Sequence, residues 1–242
     1  MELTTLQLAL ATALVAAGSW VQSAIGFGLA VLAAPLLYLV HPALIPGPVL
    51  ALALILSALN LWSNRTGLAL GELTSAFIGR LPGMALALWV LTFATQQALS
   101  LILGATVLAA VALSLTPVRM EPTPKRLFTA GFFSGFMGTS TSIGGPPMAL
   151  VYQHAAAERM RANLAGYFLL ASITSIVGLA FIGRFGTTEI VLTAALIPPA
   201  AAGFIAARWM LRRFDPQTLR PAVLALCTLS GLLVLADGLW GG

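Results

Sequence analysis

Charge is scarce in this chain. Lysine, arginine, aspartate and glutamate make up 8% of its 242 residues, where a soluble domain carries about 25%. That excludes a water-facing globular domain. Hydrophobic residues at 59% and a mean hydropathy of +0.98 point instead to an integral membrane protein. Cysteine is scarcer: Cys227, inside an apolar run, stands alone and excludes an internal disulfide or a cysteine metal cluster. No nucleotide-binding P-loop is present, so the chain does not drive itself with ATP. The acidic residues Glu2, Glu72, Glu121, Glu158, Glu189, Asp215 and Asp237 all fall in loops, at predicted helix ends or near the termini. A mid-membrane carboxylate, which proton pumps and many cation carriers keep, is missing. Its absence argues against a cation substrate and leaves proton coupling without an obvious carrier residue. His41 and His154 have no acid or cysteine beside them, so no metal, cofactor or catalytic constellation is expected. Met1-Glu2-Leu3 lacks a basic n-region, so a cleaved signal peptide is not expected at the start. The formal charge of +5 comes from Lys and Arg in short loops and helix ends, a membrane-loop pattern that gives no reason to expect nucleic acid.

What is present is a duplication. Ile25-Gly26-Phe27-Gly28 recurs as Ile143-Gly144-Gly145-Pro146, 118 residues later. At the same offset Leu52-Ala53-Leu54-Ile55-Leu56-Ser57 matches Leu170-Ala171-Ser172-Ile173-Thr174-Ser175 at four of six positions. Two repeats are read, 1–117 and 127–242, joined by a polar linker at 118–126. Apolar stretches at 46–64, 73–93, 97–115, 164–183, 189–211 and 218–240 are long enough to cross a bilayer as helices, which takes about 20 residues. The pieces after each glycine break, 28–40 and 145–153, are too short. Each repeat is therefore expected to open with a glycine-broken membrane hairpin followed by three transmembrane helices.

Basic residues choose the topology. If 5–40 and 127–153 each crossed once, the twelve Lys and Arg would divide six against six. If each goes in and returns, all but Arg184 fall on one face, as the positive-inside rule requires. Both termini are then periplasmic and the linker cytoplasmic. Three full crossings per repeat make the repeats inverted, with their hairpin tips meeting near the midplane. The expected fold is thus an all-α polytopic membrane protein of two inverted repeats.

Broken backbone at membrane depth must be buried in protein or line a wet cavity, and paired broken segments mark transporter binding sites. The first break offers Gln22, Ser23, Gly26, Phe27 and Gly28, the second Thr139, Ser140, Thr141, Ser142, Gly144 and Gly145. Helix starts after such breaks present N–H groups and a positive dipole end, which favour an anion. Neutral hydroxyls and an amide suit a small oxyanion that must bind and then leave. Close helix packing is the competing reading for the glycines and hydroxyls. Ser57 and its repeat mate Ser175 are further substrate candidates, with bonding to their own helix as the alternative. Asn60, nearer the cytoplasmic end of the same helix as Ser57, is a candidate vestibule residue, with packing or capping the favoured reading over substrate contact. Arg80, two turns into its span, is expected to snorkel to the cytoplasmic surface, with attraction of anions at an inner vestibule as the alternative. Gln153, Asn163 and Tyr167 are minor candidates near a cytoplasmic entrance.

The segments Ile25-Gly26-Phe27-Gly28 to Pro35 and Gly131-Phe132-Phe133-Ser134-Gly135-Phe136-Met137-Gly138 to Gly144-Gly145-Pro146-Pro147, with Glu158-Arg159-Met160-Arg161 beyond, resemble the TauE/SafE family of bacterial sulfite and organosulfonate exporters. The resemblance runs nearly the length of the chain, with Phe27 standing where the family often has another glycine. It implies export of a small sulfur oxyanion or organosulfonate such as sulfite or sulfoacetate, or of a small carboxylate. The expected activity is that of an alternating-access carrier, not an enzyme, with an anion channel as the alternative. Lipids are the surroundings, and a homodimer is one assembly open to it.

Overall fold

A computed structural model describes residues 3–25, 29–64, 68–116, 120–210 and 220–240, and among these every regular element is helical. In chain order they are α1 (Thr5–Ile25), α2 (Leu29–Val40), a single 3-10 turn (Pro42–Leu44), α3 (Gly47–Asn64), α4 (Leu70–Phe93), α5 (Gln96–Leu115), α6 (Pro124–Thr141), α7 (Gly145–Tyr152), α8 (Ala157–Phe181), α9 (Thr187–Met210) and α10 (Arg220–Trp240). The six stretches expected to span all form long helices, and α1 is also long and apolar enough to cross. By contrast α2, with 12 residues, and α7, with 8, reach only about 18 and 12 Å at 1.5 Å per residue, well short of a hydrocarbon core of about 30 Å.

Each short helix doubles back on the helix before it. Gln7 Nε2 donates to Val40 O at 3.0 Å, joining the start of α1 to the end of α2. Leu127 of α6 and Tyr152 of α7 share one buried cluster, so the start of α6 meets the end of α7. At the second reversal Ser142 adopts the left-handed conformation (φ 67°) and caps α6. Its hydroxyl donates to Pro46 O at 2.9 Å, anchoring this tip to the start of α3.

The longest interface is α4 on α6, and glycine makes it possible. A Cβ placed on Gly79 or Gly83 would stand 2.0 Å from the carbonyl oxygens of Phe128 and Phe132. One on Gly131 or Gly135 would stand 2.0 and 2.4 Å from those of Ala76 and Arg80. Paired glycines four apart on both helices let the backbones touch, the usual route to tight packing where lipid supplies no hydrophobic drive. The matched positions advance together, so α4 and α6 run parallel. The other large contacts are α1 with α9, α5 with α10 and α3 with α8.

Polar contacts separate two faces. Arg159 pairs with Glu72, Asn163 Nδ2 donates to Glu72 Oε2 at 2.9 Å, and Arg208 Nη1 donates to Ser63 Oγ at 3.4 Å. Lys125 and Arg126 open α6 on that same face. At the opposite end Arg184 donates to the carbonyls of Leu91 and Ala94 at 3.0 and 2.9 Å. Exposed tryptophans ring both ends: Trp62 and Trp209 near the basic face, Trp89 and Trp240 near the other. Tryptophan is enriched at both membrane interfaces, so these rings bound a membrane-spanning bundle.

Candidate functional site

Arg80 sits ten residues into α4, about 15 Å along the helix axis, and only 1% of its surface is exposed. The expectation that it snorkels to the cytoplasmic surface is therefore corrected. The touching backbones of α4 and α6 hold this part of α4 inside the bundle, too deep for the side chain to reach the cytoplasmic surface. Its guanidinium is held by neutral acceptors alone. Nη1 donates to Ser134 O at 3.4 Å, and Nη2 to Ala171 O at 2.9 Å and Thr139 Oγ1 at 3.4 Å. Nη2 also donates to Ser175 Oγ. Thr139 and Ser175 share a 2.7 Å hydrogen bond behind it, and the Tyr167 ring lies 5.9 Å from Cζ. Nε is buried without a hydrogen-bond partner among the described residues.

An arginine keeps its charge in any protein, and burying one without a carboxylate is costly. Glu72, the acid nearest to Arg80 along α4, is already engaged by Arg159 and Asn163. Among the described residues Arg80 thus has no acidic partner, and it opens onto a cleft as a cation. The cleft is lined by Gln22 from the first tip, Ser142, Gly144 and Gly145 from the second, and Ala171 and Ser172 from α8. Its volume is about 40 Å³, room for about three waters at ~10–15 Å³ each and so for a compact anion. Apolar clusters lie on either side of Arg80 along α4 and α8. Leu73, Ala76, Leu164 and Tyr167 form part of one, towards the basic face. Leu91 and Leu179, with Leu88 and Ile176 packed on them, belong to another towards the Arg184 face.

Gln22, Ser142, Gly144 and Gly145 line this cleft together, and Thr139 and Ser175 fasten the arginine that faces it. Gly26, Phe27 and Gly28 lie outside the described residues. Four expected hydroxyl ligands commit their protons elsewhere, Ser142 to Pro46 O and three to their own helices. Ser23 donates to Ser19 O, Ser140 to Phe136 O and Thr141 to Met137 O, each at 2.7 Å and each to its own helix. A hydroxyl has one proton, and here a carbonyl holds it, so packing is the better reading for these three. Ser57 and Asn60 are buried on α3 but do not line the cleft.

The expected wealth of N–H groups at the second helix start is also corrected. Two of the first four residues of α7 are Pro146 and Pro147, which have no N–H to offer. Asn163, a minor candidate for substrate contact, instead accepts from Ala69 N at 2.7 Å and ties α8 to α4. Ser134 was not anticipated. It accepts from Arg80 and its hydroxyl donates to Gly144 O at 2.6 Å, joining the arginine to the hairpin tip. A Cβ on Gly144 would lie 2.9 Å from that hydroxyl oxygen, so glycine there supplies space. The signal for Ser134 was its place beside Gly135, on the helix face that meets α4.

The profile of the family described as sulfite exporter TauE/SafE matches residues 10–234. A probable sulfite/organosulfonate exporter TauE from Cupriavidus necator is 26% identical over 224 residues, which cover 86% of this chain and 86% of that protein. No solved structure matches.

Proposed function

Because the chain belongs to the sulfite exporter TauE/SafE family, we propose that it carries sulfite or another small sulfur oxyanion out of the cell, bound at Arg80 between the hairpin tips. One observation carries this reading: a fully buried guanidinium with neutral partners and a free Nε beside a cleft. The relative from Cupriavidus necator, named as a probable sulfite/organosulfonate exporter, supports the choice of substrate class. The first repeat is 1–117 and the second 127–242, with 118–126 between them. Inverted pairing is supported by how the helices pack. Exchanging α1 with α6 and α4 with α9 turns the α4–α6 contact into the α9–α1 contact, while α3–α8 and α5–α10 map onto themselves.

The apolar layers flanking Arg80 favour a carrier that opens to one side at a time over a continuous pore. The basic face is cytoplasmic in this reading, both termini are periplasmic, and the membrane is the bacterial inner membrane. An inside-negative potential drives an anion outward by ~2.3 kcal/mol per charge per 100 mV, so export proceeds without a dedicated coupling ion.

Counterflow in proteoliposomes tests the reading. Labelled sulfite is offered against trapped unlabelled sulfite, with acetate as the carboxylate comparison. Saturable exchange is expected; linear flux without counterflow would mean a channel. A cysteine introduced at Thr4, in a Cys227→Ala background, should react with an impermeant maleimide added to intact cells, and protection until the cells are broken would reverse the orientation. Since Ser23, Ser140 and Thr141 commit their protons to their own helices, Ser23→Ala, Ser140→Ala and Thr141→Val should each keep exchange within about twofold of the parent. A large loss in any one would return that hydroxyl to the binding site.

A further inference from the structure

The cleft holds one fixed charge. Among the described residues Arg80 is its only ionisable lining group; the other side chains around it are neutral, from Gln22 and Ser172 to the apolar wall of Val31, Leu50, Ile143 and Phe168. Resting on the export reading of this same cleft, we infer that it selects by charge number. It accepts anions that carry one negative charge and are otherwise uncharged, and it turns away dianions and zwitterions.

The physics is that of a buried ion pair. A monoanion cancels the guanidinium charge and leaves a neutral pair against an apolar wall. A dianion leaves one negative charge with no partner in the same low-dielectric space, which is far more costly than the neutral pair. A zwitterion brings an ammonium that needs a carboxylate, and no acid is among the described residues lining the cleft. Glu72, the nearest along α4, lies two turns away and is held by Arg159 and Asn163. The bound sulfur species is therefore hydrogensulfite or a simple monosulfonate. Doubly charged sulfite and sulfoacetate fall outside the selection, as does any aminosulfonate.

The titratable neighbours that bear on a pH test are few. Tyr167 of α8 faces the guanidinium, and Cys227 of α10 stands behind Val31, its thiol donating to Val31 O at 3.4 Å. Described residues of α6 and of the tips contribute no acid, base or thiol to the cleft lining. Sulfite itself exchanges a proton near neutrality.

Competition for labelled sulfite counterflow provides the test. Methanesulfonate and sulfate have nearly one shape and differ in charge, and aminomethanesulfonate supplies the zwitterion. Methanesulfonate should compete at least about tenfold better than either of the others. Exchange of sulfite itself should fall about tenfold as pH is raised across the two units that straddle its titration, following the monoanion fraction. Gln22→Lys, which gives the cleft a second positive charge, should gain competition by sulfate, a gain that misfolding cannot produce. If sulfate competes as well as methanesulfonate and sulfite exchange ignores pH, the single-charge rule is wrong while export stands. If neither sulfite nor methanesulfonate exchanges, the export reading has failed and the rule falls with it.

Discussion

Arg80→Gln is expected to weaken saturable sulfite exchange about 10- to 100-fold and yet leave the protein at least as stable. A hydrogen bond from a charged donor contributes about 1.5–3 kcal/mol, so its loss should weaken anion binding by about 10- to 100-fold. Stability should move the other way. The buried cation has only neutral partners in the described structure, and removing a charge that bears full desolvation relieves the fold. Arg80→Lys should fall between the two, keeping the charge but losing the planar fork that reaches Ser134 and Ala171 at once. Thermal melting in detergent and counterflow on the same preparations separate binding from folding. Wild-type exchange by Arg80→Gln would make the arginine a packing element and remove the basis for an anion site.

Gly135→Val should have the opposite signature, losing stability and transport together. A Cβ at this position would stand 2.4 Å from Arg80 O and 3.1 Å from Arg80 Cα. Those are backbone atoms that no rotamer change can move aside. Overpacking commonly costs ~1–3 kcal/mol, and here α4 must leave α6 to make room, so the upper end of that range or beyond is expected. Arg80 would then lose its hold on Ser134. Gly71, near the start of α4, has open space around it. Gly71→Val therefore serves as the control, with both melting and exchange close to the parent. Similar melting temperatures for the two variants would show that the helices are not held by close backbone approach.

Hydropathy made the frame legible. The stretches 46–64, 97–115 and 189–211 correspond to α3, α5 and α9 to within two residues at each end, because a bilayer demands long apolar runs and little else. The end of the 164–183 stretch was close, but α8 begins earlier, at Ala157. Its first turns carry Arg159 and Arg161, which hydropathy assigns to a loop. The shortness of the apolar pieces beyond each glycine break was also readable, and these pieces form the short helices α2 and α7.

Arg80 was misread because distance from the end of an apolar run is a poor measure of depth. Which face of the helix a residue occupies decides more. Gly79 and Gly83 on α4 and Gly131 and Gly135 on α6 have the same four-residue spacing, and an arginine next to such a pair is drawn to a helix partner, not to lipid. Pro146 and Pro147 announced in the sequence that few N–H groups remain at that helix start. The direction of a serine or threonine proton was not legible, since the same side chain serves its own backbone or a ligand by a single rotation.

The tight α4–α6 seam also determines what counts as a half of this molecule. By chain order α4 belongs to the first half, but it is joined to α6 of the second, and α1 of the first half lies against α9 of the second. The two halves are crossed like folded arms. A mechanical division that respects the closest contacts groups α4 with α6 and α7, and α9 with α1 and α2, each group drawing helices from both sides of the 118–126 linker. A half synthesised alone would hold a glycine-floored groove of bare carbonyls toward lipid, and the arginine would lose every partner that now receives its protons. The helices before and after the break between α5 and α6 are thus interlocked, the closest contacts each drawing one partner from either side.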